Sequence, residues 1–263
     1  MKLGYLFIPP AGGQSRRPGH AAAMRAPLAK ALGFSEFYAP LTPSEDTPGP
    51  HATERQSLLH ILPNPPEQLR PQLVLVDGQS RDRGRPAPGP VAAPVSHAAQ
   101  ARMHSARGRA PLSVSWSDTD MLARHWAAHV TGCTHAGRCA RPQDWRVART
   151  VIVDPDAARA EATAKHPDSP CRAYYRASLG ENASDTEVDA RIDACVLYGT
   201  PATVLARLHE MTQVSASFGT LTFVDHDWPD VARARQSMRL FAETLLTTHH
   251  SQTQRNIRKL EFA

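Results

Sequence analysis

The placement of prolines constrains this chain more than any other feature. Of its 23 prolines, seven fall in one short stretch: Pro43, Pro48, Pro50, Pro63, Pro65, Pro66 and Pro71. Proline fixes φ, removes a hydrogen-bond donor and restricts the residue before it. Neither a long helix nor an interior strand can pass through such a stretch, and only Glu54 to Leu62 leaves room for a short helix. A second loose segment, Gly78 to Pro94, is rich in Arg, Gly and Pro. Regular structure must therefore come from the flanks.

Those flanks alternate strand-like and helix-like runs. Lys2 to Ile8 reads as a buried strand stopped by Pro9 and Pro10, followed by a Gly-rich loop over 11–19. His20 to Leu32 places Met24, Leu28, Ala31 and Leu32 on one helical face. Pro27 is expected to kink that helix or shift its start, and Gly33 to stop it. Ser35 to Ala39 completes a βαβ unit. Further strands are read at Gln72–Asp77, Leu112–Trp116, Trp145–Val153 and Phe218–Val224. Between them lie helices over Ser96–Ala106, from a Ser117 or Asp118 cap to about Val130, from Pro155 onward, and over Asp185–Cys195. Thr200 caps another helix, with Pro201 in its first turn, and Pro229–Leu246 closes the series. Strand and helix alternating in this way give an α/β fold with a parallel sheet. Six strands fall short of the eight that close the usual barrel, so an incomplete TIM-type (β/α) barrel is expected. It forms one domain over 1–247 with a polar tail beyond.

Composition narrows the partners. Hydrophobic residues make up 41% of the chain and aromatics only 6%, so the core must lean on Leu, Val and Ala. The net charge of +5 rests on scattered Arg rather than on a basic stripe, which argues against nucleic acid. No run of 18 apolar residues is present, and the first apolar run is too short for a secretory leader. Cys133, Cys139, Cys171 and Cys195 are accordingly expected as reduced thiols in a cytoplasmic protein.

Three stretches resemble the bacterial luciferase-like flavin monooxygenases, in particular their limonene-monooxygenase-like branch. "MKLGYLFIPP" with "LAKALGFSEFYA" is similar to the family's first strand, helix and second strand. "DWRVARTVIVDPDAARAEA" is similar to its seventh strand and the helix after it. "YGTPATVLARLHEM" with "SFGTLTFVDHDWPDVARARQSMRLFAETLL" resembles the family's ending. On that pattern the third and fourth strands are missing, and with them part of the usual flavin site. The histidine that the family carries after its second strand is also missing, since the segment here reads Tyr38-Ala39-Pro40-Leu41-Thr42. The resemblance implies an oxygenase acting on a hydrophobic small molecule, in a setting such as secondary metabolism. Reduced FMN would come from a separate reductase, and open sheet edges favour a homodimer. The alternatives it leaves are a non-catalytic flavin- or ligand-binding protein, or an accessory subunit that completes its barrel by dimerisation.

Barrel enzymes carry their chemistry at the C-terminal ends of the strands. Asp77, Gly78, Gln79 and Ser80, with Arg81, Arg83 and Arg85 nearby, combine a permissive glycine with donors for a phosphate. Ser96 stands before a helix, where it can cap the helix or bind phosphate, and Trp116 and Trp228 can wall a flat ligand. Asp225 and His226, beside Asp227, have the makings of a general base; the other reading has Asp227 capping the last helix and His226 exposed. His125, His129, Cys133, His135 and Cys139 match no standard zinc spacing and read as surface residues of a helix and loop.

Overall fold

The structure is a computed structural model that describes residues 1–8, 18–40, 73–76, 91–180, 182–215 and 217–245. Within them the chain runs β1 (Lys2–Ile8), α1 (Pro18–Ala31), β2 (Glu36–Pro40), β3 (Leu73–Val76), β4 (Val91–Val95), α2 (Ala98–Ala106), β5 (Ala110–Ser113) and α3 (Thr119–His135). It continues with β6 (Arg146–Val153), α4 (Ala157–Lys165), α5 (Pro170–Leu179), α6 (Asp185–Cys195), β7 (Leu197–Gly199), α7 (Pro201–Ser215), β8 (Thr220–His226) and α8 over 231–245. The expected helix over Glu54–Leu62 lies outside the described residues.

Every strand pairing is parallel. The order is β5-β4-β3-β2-β1-β8-β6-β7, with a further β5–β6 pairing at Leu112–Arg146 and Ser113–Val147. The chain is thus the α/β, TIM-type architecture expected from its alternating pattern. All six expected strands are present, and β4 and β7 join them. β4 reads Val-Ala-Ala-Pro-Val, and a proline among alanines looks like loop; yet Pro94 stands in register with Leu112. β7 has only three residues, too few to show a period, and it pairs only with the end of β6 at Val151–Val153. β8 meanwhile pairs β6 directly over Arg146–Thr150, so β7 is not seated between them along their length as a regular eight-strand ring requires.

The helix signals are largely read correctly. Gly33 ends α1 with φ +88°, a left-handed value that suits glycine. Asp118 caps α3 by accepting from the Met121 N–H at 2.8 Å. Ser184 and Glu187 form a capping box on α6. Two details differ. α1 begins at Pro18 and runs on through Pro27. α4 starts at Ala157 under an Asp156 cap rather than at Pro155.

β1 and β8 lie side by side over seven residue pairs, from Lys2–Thr220 to Ile8–His226. Successive side chains on a strand face opposite ways. On one face Phe223 packs against Phe34 and Phe241, toward the helices. On the other lies the barrel interior. There Arg146 of β6 grips Glu36 of β2 with two N–H groups, at 2.9 and 3.2 Å, and Tyr38 donates to the same carboxylate at 2.6 Å. β2 and β6 do not pair; β1 and β8 stand between them. The ion pair therefore crosses the interior. Gly4 makes room for it: a Cβ there would lie 2.6 Å from Tyr38 Cε2 and 3.1 Å from Thr222 Oγ1.

Burial alone would raise the Glu36 carboxyl, but Arg146 and Tyr38 outweigh it and hold the acid below its usual range. Removing one partner of a buried pair strands the other charge, at a cost of about 3–5 kcal/mol. Glu36→Ala is expected to lower stability by about that much in urea unfolding. Glu36→Ala paired with Arg146→Met should lose less than the single variant, because no charge is then stranded. Equal losses would show that the contact carries little.

Candidate functional site

β8 brings the two sequence-predicted residues to its C-terminal end and turns them in opposite directions. Asp225 faces α1. Its carboxylate lies 2.6 Å from Arg25 Nε and accepts from the Tyr5 hydroxyl at 2.7 Å. Arg25 also donates to the His226 carbonyl at 2.7 Å and lies over the Phe7 ring. Burial pushes the Asp225 carboxyl up to about 6, while Arg25 and Tyr5 pull it down. Asp225 is thus part of the wall that joins β8 to β1 and α1, and the structure gives it no access to the barrel mouth.

His226 faces inward and is only 2% exposed, so the reading of an exposed histidine is corrected. Strand alternation supplies the reason: the same face carries Thr222, which touches the space above Gly4. His226 Nε2 is 3.0 Å from Thr150 Oγ1 on β6. Its ring packs on Tyr174 at 5.1 Å and edge-on to Trp228 at 5.5 Å. Burial, then the Arg25 charge, lowers its pKa to about 3. The imidazole is therefore neutral at ordinary pH. It can hold a proton at one nitrogen and accept at the other, but it is a weak base.

Around it runs a chain of hydroxyls that sequence reasoning did not single out. Tyr175 donates to the Ser115 carbonyl at 3.2 Å and lies 3.4 Å from Thr150 Oγ1. The Tyr174 hydroxyl meets Ser115 Oγ at 2.7 Å. Tyr174 thereby bridges the ends of β5 and β8, and Tyr175 reaches β6 between them. Both phenols are pushed well above their usual pKa by burial and stay protonated. The available signal was the pair of aromatics at 174–175 behind the Ser169-Pro170 helix start, a helix the sequence reading did not place.

Trp116 lies at the end of β5, half-buried, with its ring against Tyr174 at 6.0 Å. Its carbonyl accepts from Arg191 and Cys195. Ser96 does not cap α2; His97 does, through Nδ1 toward the Gln100 N–H. Instead the Ser96 N–H and hydroxyl converge on one oxygen, Gln100 Oε1, at 2.9 and 3.1 Å. Asp77, Gly78, Gln79 and Ser80, with Arg81, Arg83 and Arg85, lie outside the described residues.

The histidines of α3 are not a surface cluster. His125, His129 and Cys133 are buried, while His135 and Cys139 are exposed. His125 bonds Ser113 Oγ at 2.9 Å and His129 bonds Ser105 Oγ at 2.7 Å. Their four-residue spacing, read as solvated, is the inner stripe of a packed helix. No metal-binding group occurs among the described residues, and none of their helices is long and apolar enough to cross a membrane.

These buried histidines set a pH response. His226 and His125, lowered to about 3 and about 4, stay neutral in the fold but take up protons near 6.5 once unfolded. The unfolded state then binds more protons, so stability falls as pH drops from about 6.5 toward 4. Asp225, raised to about 6, opposes this between about 4 and 6, but burial also lowers His104 and His129, which add to the fall. The urea midpoint is expected to fall over that range, and more shallowly in His226→Asn, by up to about 1.4 kcal/mol per pH unit. An unchanged slope in the variant would show that His226 titrates normally.

No protein-family model and no curated protein sequence matches the chain. Solved structures do. The oxygenating constituent of 3,6-diketocamphane monooxygenase from Pseudomonas putida, a type II Baeyer-Villiger monooxygenase in complex with FMN, matches with a TM-score of 0.66 at 15% identity, over 93% of this chain and 97% of that one. The monooxygenase RslO1 from Streptomyces bottropensis matches with a TM-score of 0.65 at 15% identity, over 95% and 100%. The coenzyme F420-dependent tetrahydromethanopterin reductase of Methanopyrus kandleri matches with a TM-score of 0.57 at 11% identity, over 92% and 97%. At these identities the likeness is one of fold: the chain shares the α/β, TIM-type (β/α) barrel architecture of these proteins.

Proposed function

We propose that this protein is a flavin-dependent oxidoreductase of the luciferase-like type, an oxygenase acting on a hydrophobic small molecule. The observation that carries the reading is the barrel itself, similar over nearly its whole length to two monooxygenases, one of them solved with FMN. The reading includes reduced FMN delivered by a separate reductase, a homodimer, and a place in secondary metabolism.

The donor set at the start of α2 fits a phosphate. Ser96 aims two donors at a single acceptor oxygen, now the amide oxygen of Gln100. An FMN phosphate oxygen has the same chemistry with more charge, and it would lie beside a helix N-terminus. In this reading Ser96 holds the phosphate and Trp116 walls the ring system. When bound, reduced FMN supplies the electrons that activate oxygen.

The chain's own part is to bind, orient and keep water out. Tyr174, Trp116 and Trp228 present aromatic surface at the strand ends. His226 offers a neutral imidazole held at Nε2 by Thr150. With so low a basicity it serves as a positioning hydrogen-bond partner rather than a general base, and Asp225 supports the strand that carries it. A second reading, a protein that holds flavin without turnover, draws on Tyr174 and Tyr175, which already occupy the mouth over β6.

Titration of the purified protein with FMN, followed between 350 and 480 nm, tests the cofactor. Saturable binding of oxidised or reduced FMN is expected, weakened about tenfold in Ser96→Ala, the worth of one hydrogen bond to a charged group. Failure to bind either form would end this reading. Oxygen consumption that depends on an added hydrophobic substrate separates the oxygenase from the flavin holder.

A further inference from the structure

A cavity of about 400 Å³ lies on the outer side of the barrel, between α4 and α8. Its floor includes Val151, Val153 and Phe223 from β6 and β8, and Ala162 and Ala234 stand on the two helices above them. Phe223 points away from the barrel interior, so this space is not the mouth where His226 lies.

The space is a cleft partly open to solvent, with Ala162 on its exposed side, and its wall is mainly apolar, so a guest that covers that wall removes apolar surface from water. The sequence builds it deliberately small-sided. The apolar residues of α4 are all alanine, in Ala-Ala-Arg-Ala-Glu-Ala-Thr-Ala-Lys, and α8 opens Val-Ala-Arg-Ala. Leucine at Ala162 or Ala234 would extend into the space that alanine leaves.

The polar groups around the cavity already have partners. Arg159 pairs with Asp154 at 3.3 Å, and Arg233 lies 3.6 Å from Asp230. Ser237 Oγ accepts from the Val153 N–H at 2.8 Å. The rim carries charges of both signs, Arg159 and Arg233 against Asp154, Asp168 and Asp230, so it offers an anion no net positive field. From this charge balance and the apolar floor, we infer that the cavity is a binding site for a neutral, mainly hydrocarbon small molecule, separate from the barrel mouth. Trp228 forms part of its wall and also packs edge-on to His226, so the site adjoins the strand ends.

The test uses the full chain without added flavin, so that it succeeds or fails independently of cofactor binding. The probe is N-phenyl-1-naphthylamine, a neutral dye whose emission rises in apolar surroundings, compared with 1-anilinonaphthalene-8-sulfonate, which adds a negative charge to the same framework. Saturable binding of the neutral dye is expected, at least tenfold tighter than that of the sulfonate. Ala234→Trp and Ala162→Phe, which fill the space from opposite sides, should each reduce it at least tenfold while the circular dichroism spectrum stays unchanged. If either fails to fold, Ala234→Val and Ala162→Val should give a graded loss. Equal binding in all folded variants, no saturation, or preference for the sulfonate would overturn the inference.

Discussion

The guanidinium of Arg146, gripped by Glu36 and backed by Tyr38, is the contact on which the barrel's geometry turns. Backbone pairing ties each strand only to its neighbours. This contact ties β2 to β6 across the interior. It fixes which faces of the two strands look inward, because a slip of one residue would turn Glu36 or Arg146 to the helix side. A buried ion pair adds little net stability over an apolar equivalent, and its value here is registration. Once Arg146 points inward, so does Thr150 four residues on, and Thr150 is the residue that meets His226.

The same alternation explains the division of labour at the end of β8. Two adjacent residues that look like one acid–base pair in sequence belong to different compartments. Asp225 anchors α1 through Arg25, and His226 enters a cage of hydroxyls and aromatic rings. The Glu36–Arg146 contact secures the lower barrel and the tyrosines of α5 close part of the upper one.

Much of the scaffold was legible because it rests on local rules. Gly33, the Asp118 cap and the Ser184–Glu187 box state where helices start and stop, and the long apolar strands β1, β6 and β8 announce themselves. β4 and β7 did not, since one contains a proline and the other has three residues; their identity comes from neighbours distant in sequence. The site was half legible. Barrel logic pointed to Trp116 and His226 as strand-end residues and a helix start pointed to Ser96, but nothing local says that α5 lies across the mouth. The buried α3 histidines were misread for a related reason: histidine is ambivalent, and only the packed serines opposite decide that it faces inward.

The seven-residue pairing of β1 with β8 brings Lys2–Ile8 beside Thr220–His226, more than two hundred positions later. During synthesis β1 therefore waits with one edge unpaired until the residues of β8 emerge. An uncovered parallel strand edge is a template for another chain. The nascent protein is thus most exposed to misassociation late in translation, and the barrel can close only when the last strand arrives.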